Sequence, residues 1–104
     1  MVINGKELNF KIFNLKDAGN MELALKEMEK TEKEVRKGKD LSMSSAIQAM
    51  IDMFRNFFKM ATGVDVLEGC EDALDAKQAY SDFLKEISKQ KQAILEPFSL
   101  DRIK

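Results

Sequence analysis

Apolar and polar positions alternate at the start of this chain and then change period. Met1, Val2 and Ile3 form a short extended run, followed by Asn4-Gly5, the strongest short-range hairpin signal. Leu8, Phe10 and Ile12 alternate with Asn9 and Lys11, which places three apolar side chains on one face of a sheet. The pattern predicts a β-hairpin over residues 1–13. A two-stranded hairpin alone is marginal in water, so this one must pack on something else.

The period then becomes helical. Asn14 and Asp17 are two candidate starts for a first helix running to about Lys37, with Gly38 as its stop. Met21, Leu25, Met28 and Val35 make one narrow apolar stripe, and Glu32 fills the missing position. Glu22–Lys26, Glu29–Lys33 and Glu32–Arg36 are spaced to pair at i,i+4. Ser42, Ser44 and Ser45 offer caps for a second helix over about 44–62, ended by Gly63. From Ala46 to Ala61 its apolar residues cover far more than one stripe, which makes it the central helix. A short helical turn around Val66 and Leu67 leads to Asp72, a candidate cap for a third helix over about 72–96. Ala73, Ala76, Tyr80, Phe83, Leu84 and Ile87 carry its apolar spacing, and Lys85, Lys89 and Lys91 lie towards its C-terminal end. Pro97 is expected to end it. The reading is one domain over 1–104: an α+β, mainly α fold, with the hairpin on a bundle of about three helices. The helical region is 17–96, and a tail over 97–104 offers Phe98, Leu100 and Ile103 for docking.

Composition narrows the function classes. Seventeen basic residues nearly cancel 18 acidic ones, so a net charge of -1 gives no general attraction to nucleic acid or anionic membrane. The first helix interleaves the two signs instead of building a basic stripe. Cys70 is the only cysteine, so no intramolecular disulfide can form and a reducing compartment fits. No signal peptide is expected. The apolar-rich region Ala46 to Ala61 is too interrupted by Gln48, Asp52, Arg55, Asn56 and Lys59 to span a bilayer.

Histidine is absent, which removes the side chain best suited to proton transfer near neutral pH and the commonest metal ligand. Glu68, Glu71, Asp72 and Asp75 lack the alternating ligands and central glycine of a calcium loop, and read as a solvated helix N-terminus. Cys70 has no histidine to activate it. No P-loop glycine run or nucleophile-elbow serine is present. The expectation is a chain without catalytic residues, cofactor or metal. Met50, Met53, Phe54, Phe57 and Phe58 stand out instead. Methionine suits surfaces that repack around several partners, and these five are the candidate client-binding or self-association residues. The competing reading makes them the core of a small bundle.

The order of elements resembles the small tail assembly chaperones of long-tailed bacteriophages and related prophages. The likeness covers roughly residues 1–96. It rests on Ile3-Asn4-Gly5-Lys6-Glu7-Leu8 leading into Phe10 and Phe13, then a charged helix. Met53-Phe54-Arg55-Asn56-Phe57-Phe58 comes next, running into Gly63-Val64-Asp65 and Leu67-Glu68-Gly69 ahead of a helix with Tyr80, Phe83 and Leu84. The resemblance implies a non-enzymatic protein of the bacterial host cytoplasm that binds the tape measure protein and assists tail tube subunits; separately, an uncovered hairpin edge or central helix would make the chain a homo-oligomer. The rival expectations are a minor tail or connector component of the virion, and an adaptor that binds a host protein.

Overall fold

Asn4 and Gly5 both take positive φ, at 51° and 76°, the signature of a type I′ turn. They join β1 (Val2–Ile3) to β2 (Lys6–Glu7) as an antiparallel pair with Val2 opposite Glu7 and Ile3 opposite Lys6. The Asn4 side-chain amide donates to the carbonyl of Val66 at 3.0 Å, which fastens the turn to the rest of the molecule. The computed structural model describes the backbone over 1–37 and 42–103 and the side chains over 1–37 and 42–93.

The sheet is shorter than the alternation suggested. The ladder pairs only Val2 with Glu7 and Ile3 with Lys6, and the Leu8 N–H donates to the Met1 carbonyl at 2.7 Å. Leu8 and Phe10 are buried and Ile12 is half-buried, so the alternation does mark the inward side chains. Beyond Glu7, Leu8 and Phe10 lie on a segment outside the strands, and Ile12 lies in the turn closed by the Asn14 N–H on the Lys11 carbonyl at 2.9 Å.

Local caps set the helix ends. α1 (Leu15–Lys37) starts at Asn14, whose Oδ1 accepts from the N–H groups of Lys16 and Asp17 at 3.0 and 3.1 Å. The rival start, Asp17, accepts instead from the N–H of Lys11 at 3.0 Å. Two of the three anticipated ion pairs close along α1: Lys33–Glu29 at 3.6 Å and Arg36–Glu32 at 2.6 Å. Gly38, the anticipated stop, lies outside the described residues. α2 (Met43–Thr62) is capped by Ser42, which accepts from the Ser45 N–H at 3.2 Å. It ends at Gly63 in a left-handed conformation, with the Gly63 N–H on the Lys59 carbonyl at 2.9 Å. The link after it makes tight turns, with Val66 and Leu67 fully buried. Asp72 caps α3 (Ala73–Ile103) through bonds from Leu74 and Asp75 at 2.7 and 3.2 Å.

The stop anticipated at Pro97 does not occur: α3 runs on to Ile103. An interior proline withholds one N–H from the ladder, here the one due to the Ala93 carbonyl. The helix is already nucleated over many residues upstream, so extension past one defect does not repeat the cost of starting a turn. Lys85, Lys89 and Lys91 therefore sit mid-helix. The side chains of Phe98, Leu100 and Ile103 lie outside the described residues.

α2 is the central helix. It packs against both α1 and α3, and β1 packs on α3. The core gathers on Phe83, whose ring centroid lies 5.1 Å from Phe10, 5.9 Å from Phe57 and 5.4 Å from Phe58, all edge-to-face. No polar or charged side chain among the described residues is buried. The fold is mainly α with a small β part, and no described helix is long and apolar enough to cross a membrane.

Candidate protein-binding groove

The five residues singled out on α2 divide between two environments. Phe54, Phe57 and Phe58 point inward and are 6%, 1% and 0% exposed. They belong to the core, which corrects the expectation that they present a binding face. Phe57 meets Phe58, Tyr80 and Phe83, so truncating it would open a cavity rather than a surface. Met50 is 40% exposed and Met53 is half-buried. The apolar excess of α2 is real, but it lies at Met43, Ile47, Met50 and Met60, which all remain exposed.

Met50 and Met53 form the floor of a groove of about 520 Å³ between the three helices. α1 supplies one wall through Met28, Glu32, Val35 and Arg36, and α3 supplies the other through Lys77 and Tyr80. Ala49 and Phe54 complete the α2 side. The Tyr80 ring packs on Phe54 and Phe57 at 5.2 and 5.0 Å, and burial pushes its hydroxyl pKa above the ordinary tyrosine value. A methionine-rich channel whose floor is apolar can hold apolar side chains of varied shape.

The helical spacing that identified the α1 stripe also held the clue to this groove. Met28 and Val35 flank Glu32 on that stripe, and a carboxylate within it marks the stretch that helix packing does not cover. Tyr80 was legible only as part of the α3 apolar spacing and Arg36 only as a partner of Glu32, while Lys77 carried no local signal of its own.

A family model described as a family of unknown function (DUF6673) matches residues 4–101. The chain belongs to that family. No curated protein and no solved structure matches it.

Elsewhere in this DUF6673 member, Arg55 grips Asp65 with both ends of its guanidinium, Nε to Oδ1 at 2.8 Å and Nη2 to Oδ2 at 2.6 Å. The pair ties α2 to the link that carries Val66 and Leu67. The hydrogen bonds from Arg55 hold the Asp65 carboxyl below the usual carboxylate range, and the partnership raises Arg55 in turn. Among the described residues, no three Cys, Asp or Glu side chains are grouped to hold a metal ion. The acidic residue Asp72 acts as the α3 cap. Cys70 is half-buried and its thiol faces the carbonyl of Asp72 at 3.3 Å.

Proposed function

We propose that this chain is a non-enzymatic tail assembly chaperone of a long-tailed phage or prophage. It acts in the bacterial host cytoplasm, where it holds apolar segments of the tape measure protein until tail tube subunits assemble around it. The observation that supports holding is the groove: Met28, Met50 and Met53 give an adaptable apolar channel on a chain with no net charge bias. The choice of client comes from the sequence resemblance over residues 1–96. Co-expression with the tape measure protein tests the reading. The client should stay soluble with the wild-type chain and aggregate with a Met50→Glu variant, which places a charge on the groove floor. Equal client solubility with and without the chain sinks the proposal.

A further inference from the structure

If the groove is the client site, as proposed above, the charges on its rim constrain the occupant. The α1 wall runs from Met28 to Arg36, about two helical turns or roughly 12 Å. A docked helix presents anchors at i, i+3 or i+4, and i+7 over such a length. The α2 side of the groove is Ala49, Met50, Met53 and Phe54, all apolar, so the floor asks no polar group of the occupant. Its anchors are therefore apolar. Each wall carries a cation at its edge, Arg36 on α1 and Lys77 on α3. Glu32 is the one carboxylate among the lining residues. Arg36 bonds it through Nη2 at 2.6 Å, and among the described residues that is the guanidinium's one hydrogen-bond partner, with donors to spare.

We propose that the groove takes one amphipathic helix of a partner protein whose apolar stripe is flanked on both sides by aspartate or glutamate. Carboxylates on the two flanks meet Arg36 and Lys77 while the stripe settles on Met50 and Met53.

Two synthetic helical peptides test this, with one leucine stripe and either Glu or Lys on both flanks, neither containing Tyr or Trp. Tyr80 is the chain's only tyrosine and there is no tryptophan, so its fluorescence reports on the groove directly. The Glu-flanked peptide should bind about tenfold more tightly at low salt. Added salt should shrink that preference. The double variant Arg36→Glu, Lys77→Glu should reverse it while keeping the wild-type circular dichroism, since both side chains are exposed. Equal affinities, no binding of either peptide, or no reversal in the double variant overturns the proposal and leaves the co-expression test to be decided on its own. Light scattering supplies the other check. If Met50→Glu turns a self-associating protein into a monomer and neither peptide binds the wild type, a second copy fills the groove and the proposal falls.

Discussion

The side-chain amide of Gln90 donates to the carbonyl of Phe10 at 2.9 Å and accepts from the N–H of Ile12 at 2.8 Å. One side chain of α3 thus does for the segment after β2 what a neighbouring strand would do. It satisfies a donor and an acceptor two residues apart and holds Phe10 against Phe83. Gln90→Ala should destabilise the fold by about 1–3 kcal/mol, because both partly buried backbone groups lose their partner. Gln90→Glu should not rescue it, since a carboxylate cannot donate to the Phe10 carbonyl. Urea denaturation of the two variants checks this. Wild-type stability in Gln90→Glu would show that the amide donor is unimportant.

The division of α2 into core and groove residues predicts contrasting stability effects. Phe57→Ala should cost about 3–5 kcal/mol, as expected for a buried aromatic. Met50→Ala should change stability by no more than about 1 kcal/mol, because the side chain is already 40% exposed and lies outside the core. Thermal melts of both variants distinguish a core phenylalanine from a surface methionine. Similar losses at the two positions would contradict this placement.

The Arg55–Asp65 pair makes stability depend on acid. Asp65 has a lowered pKa in the folded chain, so its contribution is fully present above the unfolded carboxylate value. That contribution is lost as pH falls through the lowered folded value. Arg55 stays charged throughout this range. Denaturation midpoints between neutral and strongly acidic pH should fall less steeply in Asp65→Asn than in the wild type. Superimposable pH profiles for the two proteins would remove Asp65 as a source of the acid sensitivity.

Tyr80 makes the opposite prediction at alkaline pH. Burial favours its neutral form, so tyrosinate absorbance should rise at a higher pH than for free tyrosine. Its contribution to stability holds below the unfolded tyrosine value and declines as pH climbs through the raised folded value. Because Tyr80 is the only tyrosine, a single titration curve reports it. A curve matching that of the urea-unfolded chain would place the ring in water.

Gly63 tests the helix stop. Its φ of 76° is strained for any side chain, although a methyl group there would meet nothing within 4 Å. Gly63→Ala should cost about 1–2 kcal/mol from backbone strain alone. A neutral effect in chemical denaturation would mean that α2 ends differently.

The sequence by itself determined the ends of most elements. Asn4-Gly5, Asn14, Ser42, Gly63 and Asp72 each act within a few residues of their own position. A cap or a tight turn is a local hydrogen-bond arrangement, so it is legible without knowing the rest of the fold. Helical period likewise placed Ala76, Phe83 and Ile87 on the buried side of α3.

Only the tertiary structure decided which part of α2 is covered. That helix is apolar around most of its circumference, so periodicity allows several inward faces. Packing against Tyr80 and Phe83 of α3 selects Phe54, Phe57 and Phe58 for the core and leaves Met50 and Met53 on the groove floor. Gln90 belongs to the same class. Its partners lie about 80 positions away in the chain, and nothing near it in the sequence marks it. Local chemistry set where the helices start and where α2 stops, and non-local packing set which of their side chains are covered.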